Sequence, residues 1–307
     1  MTLQVLDAGL QTSIQGAPRR GQRHWAVPSG GAADALSLAL ANRLVGNRVT
    51  AAGLEISVSG ASFECVEPLA VAVTGADAAL AVNGHEAELH TTIRLQAGDR
   101  LEVGAARSGA RSYLAVAGDL DIPCVLGSPS TCMAARFGGL EGRALEAGDR
   151  VGVRVRDTVQ ECQTPSALRY APSAAAVLRA VPAAGFDSDA LFDVKLTVGS
   201  RADRMGVQLS ALRTGGQSDL PSNPVFPGGI QLPPDGQPFV LGVDAQTTGG
   251  YALLANVARV DRHALGQLRP GSSLTFARRD PAQAREEWLQ KVAVFRAWLE
   301  GAEAAVR

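Results

Sequence analysis

Short apolar, β-branched runs recur along the chain, each four to six residues long and fenced by Gly, Pro, Asn and Asp. Leu69–Val73, Ser112–Ala117, Val151–Val155 and Phe239–Val243 are examples. Runs of this length bounded by turn chemistry predict the strands of sandwiches or barrels. Three segments resemble one another: Leu95-Gln-Ala-Gly-Asp-Arg-Leu-Glu-Val103, Leu145-Glu-Ala-Gly-Asp-Arg-Val-Gly-Val153 and Leu268-Arg-Pro-Gly-Ser-Ser-Leu-Thr-Phe276. Each sets Ala or Pro before Gly, as a type II turn requires, because its third position needs a positive φ. Each then launches an alternating strand. The recurrence on both sides of residue 170 predicts two related β domains, over 1–165 and 176–307. A polar, alanine-rich stretch over 156–175, with Pro165 and Pro172, is the expected connection.

Helical periodicity is scarce. Leu36, Leu40 and Leu44 recur at i+4 and predict a helix over about 33–45, capped by Asp34 or Ser29 and ended by Gly46. A C-terminal helix over 281–300 starts with Asp280 as N-cap and Pro281 as first helical residue. Its apolar stripe is Trp288, Val292, Phe295 and Leu299. The stripe is expected to pack on its own domain, with docking of a partner as the alternative.

Composition removes several classes of function. Hydrophobic residues make up 46% of the chain, enough to bury a core. Lys plus Arg number 29 against 30 Asp plus Glu, so no global charge draws the chain to nucleic acid or an anionic membrane. The first residues lack a basic, apolar leader, and the most apolar stretch, 69–84, is interrupted by Thr74, Asp77 and Asn83. Four cysteines, none in CxxC, fit neither a zinc ribbon nor a disulfide scaffold and read as small buried hydrophobes. A cytoplasmic setting is expected. Lys195 and Lys291 are the only lysines, which confines amine chemistry to them and the N-terminus.

Familiar catalytic motifs are missing. The chain has no Walker A sequence, no G-x-S-x-G elbow and no G-x-G-x-x-G after a strand. His85-Glu-Ala-Glu-Leu-His90 superficially resembles a zinc-protease helix, but the second His falls one place too far. The segment follows Asn83-Gly84, a hairpin signal, so an exposed hairpin without metal is expected.

Two stretches rise above this background. The first runs from Gln15 to Asp34, joining a Gly-Pro loop to a helix N-terminus, with Arg19, Arg20 and Arg23 nearby. Free N–H groups there can bind an anion; an ordinary capped helix is the alternative. The second comprises Pro227–Pro238 and Asp244-Ala-Gln-Thr-Thr-Gly-Gly-Tyr251, separated by an apolar strand. Polar side chains at this density are costly if buried without partners, and useful if they line a pocket. Asp244 can accept N–H and serve as a base if desolvated, while Gln246 and the threonines can donate to an oxygen. A hydrogen-bonded barrel corner is the alternative reading.

At these residues the chain resembles the biotin-dependent carboxyltransferase-like family that includes the C subunit of bacterial 5-oxoprolinase (KipA). The same module forms part of the carboxyltransferase region of urea carboxylase. The resemblance rests on Ala202-Asp-Arg-Met-Gly206, Gly229-Ile-Gln231, Pro234-Asp-Gly-Gln-Pro238, Asp244–Tyr251 and Gln267-Leu-Arg-Pro-Gly271, with Ala41–Asn47, Tyr113–Gly118 and Leu126–Ser128 upstream. The N-terminal loop departs from the family pattern. Gly16 stands for an Asp, Pro18 for a Gly, Ala26 for a Gly, Gly30 for a Ser, Ala33 for a Met and Pro129 for an Arg. Losing a carboxylate and an arginine there bears on whether the N-terminal half keeps the family's chemistry.

The resemblance implies a mainly β fold of two cyclophilin-like barrels with few helices. It implies one component of an enzyme that works only in complex, the partners being a KipI-like protein and a LamB/YcsF-like protein, the other two 5-oxoprolinase components. The implied reaction is ATP-dependent opening of 5-oxoproline to glutamate, with ATP used by the complex. Biotin-dependent carboxyl transfer to urea, or regulatory binding of a KipI-like protein without catalysis, are the alternatives. No Met-Lys-Met is present, so biotin would not be attached to this chain. Both chemistries act on an N–C=O group and need a donor for oxygen and an acceptor for N–H. Asp244, Gln246, Thr247 and Thr248 are the expected catalytic residues. Asp203, Arg204, Gln231, Gly249, Gly250 and Tyr251 are the expected substrate-binding residues. Arg204 can take a substrate carboxylate, or be spent on Asp203 or Asp244.

Overall fold

The computed structural model describes residues 1–155, 159–192, 194–212 and 220–306. Residues 156–158, at the start of the expected connection, lie outside the described residues. The chain forms two compact units. Unit 1 holds 1–19, 30–172 and 295–305; unit 2 holds 20–29, 173–294 and the last two residues.

Unit 1 contains β1 (Thr2–Asp7), β2 (Thr12–Gln15), α1 (Ala35–Leu44), β3 (Gly53–Ser57), β4 (Ala61–Cys65), β5 (Leu69–Val82), β6 (His85–Ala87), β7 (Ile93–Leu95), β8 (Arg100–Val116), β9 (Gly118–Leu120) and β10 (Arg150–Val155). These ten strands make one sheet in the order β2-β3-β8-β4-β1-β10-β9, with β5 joining through β8 and carrying β6 and β7. The sheet curls into a half-barrel and does not close among the described residues; the sequence pattern leaves sandwich or barrel open, and the barrel comes from the resemblance. Two apolar runs expected as short strands are segments of much longer ones, β5 and β8. Register shifts between Gly75 and Asp77 carry β5 past its polar interruptions, and Gly75 takes the positive φ that one such step requires. Leu3, Val5, Ile14, Leu54, Phe63, Leu101 and Leu114 fill the core beneath.

Helix α1 lies against β5 and β8. Its Leu36, Leu40 and Leu44 are fully buried, worth about 1.5–3 kcal/mol each. Ala41 packs with Ala70, Ala72 and Ala115, where small side chains allow close approach. Asp34 caps the helix, accepting from Ser37 N–H at 2.9 Å, and Gly46 follows its end in the left-handed region.

Unit 2 contains β11 (Ala175–Pro182), β12 (Leu196–Ala202), β13 (Gly206–Leu209), β14 (Asn223–Pro224), β15 (Gly229–Leu232), β16 (Phe239–Leu241), β17 (Thr248–Gly249), β18 (Ala252–Val257) and β19 (Ser273–Arg278). Seven of them close a barrel in the order β11-β18-β15-β16-β13-β12-β19, sealed by parallel pairing of β11 with β19. The pair β14–β17 stands apart as a two-stranded ribbon. The three look-alike turns are equivalent: Gly98, Gly148 and Gly271 all have φ between 85° and 94°. Each turn closes with a backbone bond of about 3 Å, Asp99 N–H to Gln96 O, Asp149 N–H to Glu146 O and Ser272 N–H to Arg269 O.

Two short helices, α2 (Arg262–Leu265) and α4 (Ala302–Ala305), flank the longer α3 (Pro281–Arg296). Asp280 and Gln283 cap α3 reciprocally, at 2.8 and 3.1 Å. The helix stops at Arg296, short of the expected residue 300. Its apolar stripe is also divided: Trp288 and Val292 belong to unit 2, Phe295 and Leu299 to unit 1. Among the described residues no helix is long and apolar enough to cross a membrane.

His85 is exposed beside the Asn83-Gly84 turn, where both residues have positive φ. His90 departs from the exposed-hairpin expectation. It is 7% exposed, with Nδ1 3.3 Å from Thr164 Oγ1. Cys65 and Cys132 are buried as expected, whereas Cys124 is exposed.

Candidate active site in the second unit

Strands β13 and β16 are antiparallel neighbours, with Gly206 opposite Leu241. Their pairing continues into the adjoining loops: Gly242 N–H donates to Met205 O at 2.8 Å, and Asp244 N–H donates to Arg204 O at 3.0 Å. Two residues forty positions apart are thereby brought together. Arg204 donates through Nε to Asp244 Oδ2 at 2.7 Å and through Nη2 to Oδ1 at 3.0 Å. The pair is deeply buried, at 4% and 10% exposure. Of the alternatives left open for Arg204, the ion pair with Asp244 is formed among the described residues. Each Asp244 oxygen accepts one of these bonds, which fixes the orientation of the carboxylate. Asp203 Oδ1 accepts from the Met205 and Gly206 N–H groups at 2.7 and 3.2 Å, holding the tight turn before β13.

Past Asp244 the chain enters the β14–β17 ribbon, where Thr248 faces Pro224 and Gly249 faces Asn223. Thr247 is buried and its carbonyl accepts from Val225 N–H at 3.0 Å. Thr248 is exposed, and Tyr251 is 47% exposed. Gln246 Nε2 donates to Gln231 Oε1, on β15, at 3.3 Å. Gln231 is 1% exposed, and its Nε2 finds no partner among the described residues. Gly249 makes room for this amide: a Cβ there would lie 2.5 Å from Gln231 Nε2. The structure therefore brings Gln231, Gln246 and Gly249 together, and separately joins Arg204 to Asp244.

Arg23 also lies here, in the segment 20–29 that belongs to unit 2. Its Nη2 donates to Val225 O and, at 3.1 Å, to Gln246 O. Nη1 is 3.4 Å from Ser29 Oγ, and the guanidinium stands 5.2 Å from the Phe226 ring. Burial lowers its pKa from the ordinary arginine value. Sequence reasoning assigned Arg23 to the α1 terminus. No local spacing ties it to Gln246, 223 positions away, because only the fold of the 20–29 segment makes the contact.

The first candidate stretch is built differently from the expectation of an anion site. The N-terminus of α1 carries its own carboxylate, Asp34, fully buried and bonded to Ser37 N–H and Oγ. Asp34 N–H donates to Tyr113 Oη at 2.7 Å, and Tyr113 Oη donates to Glu55 Oε2 at 2.8 Å. Burial first, then the Glu55 and Asp34 carboxylates, hold the Tyr113 phenol well above its usual pKa. Arg19 is buried 4.6 Å from the Phe137 ring and donates to Ser130 O. Gly16 and Pro129, two positions read from the sequence as departing from the family pattern, are neighbours: a Cβ on Gly16 would lie 2.8 Å from Pro129 Cγ.

Comparison with known proteins agrees with this architecture. The family described as "Carboxyltransferase domain, subdomain A and B" matches residues 25–278. The 5-oxoprolinase C subunit of Escherichia coli is 35% identical over 284 residues, covering 89% of this chain and 90% of that protein. The crystal structure of TTHA0988 superposes with a TM-score of 0.83 at 35% identity, over 90% of this chain and 55% of that one. The K. lactis urea amidolyase structure gives 0.88 at 27% identity, over 98% of this chain and 20% of that one. The chain thus spans about half of TTHA0988 and a fifth of the urea amidolyase.

Proposed function

The chain belongs to the carboxyltransferase family, subdomains A and B, and from that membership we propose that it is the C subunit of a 5-oxoprolinase, working in complex to open 5-oxoproline to glutamate at the expense of ATP. One observation carries the reading. The similarity to the Escherichia coli 5-oxoprolinase C subunit, at 35% identity, runs over 89% of this chain and 90% of that protein.

Opening the lactam adds water to the ring carbonyl carbon, breaks the C–N bond and leaves the nitrogen as an amine. The amide is resonance-stabilised. A donor to its oxygen withdraws electrons from the carbonyl carbon and favours attack. The amides of Gln231 and Gln246 are the residues of this chain suited to that donation. The Arg204–Asp244 pair fixes the loop that presents Gln246. ATP is assigned to the complex, and no ATP-dependent step is routed through residues of this chain. The KipI-like and LamB/YcsF-like proteins are the proposed partners.

Carboxyl transfer to urea from a separate biotin carrier is the second reading, favoured by the match of 98% of the chain to the K. lactis urea amidolyase structure. Reconstitution separates the two. The purified chain with its KipI-like and LamB/YcsF-like partners is expected to release glutamate from 5-oxoproline only when ATP is present. Activity that instead requires bicarbonate and a biotin carrier would replace the first reading with the second. Binding of the KipI-like protein with no turnover under any nucleotide would reduce the chain to a regulatory module.

A further inference from the structure

Two features of unit 2 lack the partner that elementary chemistry demands, and both meet at Gln246. The first is Arg23. It is half-buried, yet its guanidinium is met by two carbonyls, a hydroxyl and an aromatic face, and by no carboxylate among the described residues. A guanidinium drawn partly out of water normally acquires an anion, because neutral acceptors leave its charge uncompensated. Burial lowering its pKa is the expression of that deficit. The second is Gln231. Its buried Nε2 carries N–H donors with no acceptor among the described residues, although its Oε1 is engaged by Gln246. A buried unsatisfied donor is unfavourable, and an acceptor recovers that cost where the Gly249 segment, which closes over Nε2, yields to admit it. The other arginine of the site cannot supply the charge, since Arg204 is committed to both oxygens of Asp244.

We propose that Arg23 is the binding residue for the negative charge of the substrate, and that the ligand of this site is a small carboxylate carrying a neighbouring amide carbonyl, the carboxylate going to Arg23 and the carbonyl oxygen to the Gln231–Gln246 pair. This rests on the lactam reading above and deepens it. An amino-acid lactam has both groups, whereas urea has the carbonyl and no charge. Arg23 selects the former. Nη2 spends its two hydrogens on the Val225 and Gln246 carbonyls, so Nε and the second hydrogen of Nη1 are the donors left, either of which can make a single charge-assisted bond to a carboxylate oxygen. The carbonyl contacts from Val225 and Gln246 hold the guanidinium in place before the ligand arrives.

The test uses the full chain, alone and assembled with its KipI-like and LamB/YcsF-like partners, with 5-oxoproline and uncharged 2-pyrrolidinone as probes. Binding is read by equilibrium dialysis and turnover by glutamate release. Arg23→Gln is expected to raise KM for 5-oxoproline at least about tenfold with kcat little changed, as loss of a charge-assisted contact would, and to leave 2-pyrrolidinone binding as it was. Arg23→Lys is expected to recover part of the affinity, and thermal melting of each variant checks that unit 2 stays folded. An unchanged KM in a folded Arg23→Gln variant would overturn the inference and leave the lactam reading intact. Equal losses for the charged and uncharged probes would overturn it too, because a residue that merely shapes the loop does not discriminate charge. Should the wild-type complex fail to turn over 5-oxoproline yet bind it through Arg23, the proposed reaction falls and the anion site stands. Failure of both binding and turnover overturns both.

Discussion

Arg204 and Asp244 face each other two-pronged, at 2.7 and 3.0 Å, in a part of the barrel almost sealed from water. The geometry follows from backbone pairing rather than from the charges. Strands β13 and β16 run side by side, and the bonds from Gly242 and Asp244 to the 204–205 carbonyls extend their ladder by two residues. The side chains complete a join the main chain has already made.

Removing one member of such a pair leaves a buried charge uncompensated, at a cost of about 3–5 kcal/mol. Asp244→Asn and Arg204→Gln are each expected to lower the urea-unfolding stability of unit 2 by several kcal/mol. The double variant Arg204→Met with Asp244→Leu is expected to recover much of it, because neither charge then remains. Losses that simply add in the double variant would show that the pair is not coupled. The same variants separate structure from chemistry. If the apolar double variant is stable and still turns over substrate, Asp244 is not the base.

Gly249 is expected to be intolerant of alanine for a stated reason. The new Cβ would lie 2.5 Å from Gln231 Nε2, and Gln231 has no exposed route of retreat. Forced repacking of this kind costs about 1–3 kcal/mol. Shortening Gln231 to Ala in the same chain should restore the melting temperature without restoring substrate binding. Restoration of both would remove Gln231 from the site.

The three repeated Gly turns and both long helices could be read from sequence, because each is specified by residues within one or two turns of itself. Gly98, Gly148 and Gly271 stand where a positive φ is needed, and Asp34 and Asp280 stand at the caps. The extents of β5 and β8 could not, since bulges let these strands run through Thr74 and Asp77 and on to distant partners. Closure was equally invisible locally. Unit 2 closes because β11 pairs in parallel with β19, nearly a hundred residues later, and no such seam is formed among the described residues of unit 1. In the candidate site, the polar cluster after residue 243 was legible as chemistry out of place in a strand-rich chain. Its partition into an ion pair and an amide pair was not, because Arg204, Gln231 and Arg23 reach it only through the fold.

The departures at Gly16 and Pro129 are expected to be linked. A side chain at 16 would press on Pro129 Cγ at 2.8 Å and on Ala52 Cα at 3.2 Å. Gly16→Asp alone should destabilise unit 1 by about 1–3 kcal/mol. Adding Pro129→Arg removes the obstructing ring and supplies a counter-charge, so the double variant should unfold closer to the parent than the single one. A double variant no more stable than Gly16→Asp would show that the two positions vary independently.

His90 makes the stability of unit 1 depend on pH. Burial, and then the charge of Arg169, lower its pKa from 6.5 to about 4. The unfolded chain therefore takes up a proton below pH 6.5 that the folded chain refuses until about pH 4. The stabilising contribution is complete above the unfolded value and is lost as pH falls through that window, by about 1.4 kcal/mol per unit, or roughly 3 kcal/mol in all. Denaturant titrations from neutral pH down towards the folded-state value should show this slope. Asn is the replacement of choice, because His90 sits at φ 64°, a conformation Asn tolerates better than most residues. His90→Asn should lower the stability at neutral pH and flatten the acid slope together. The slope will not vanish, since buried His263 in unit 2 is lowered too, by burial first and then by Lys291 and Arg179. A His90→Asn variant with the parent's full slope would place the acid sensitivity of unit 1 elsewhere.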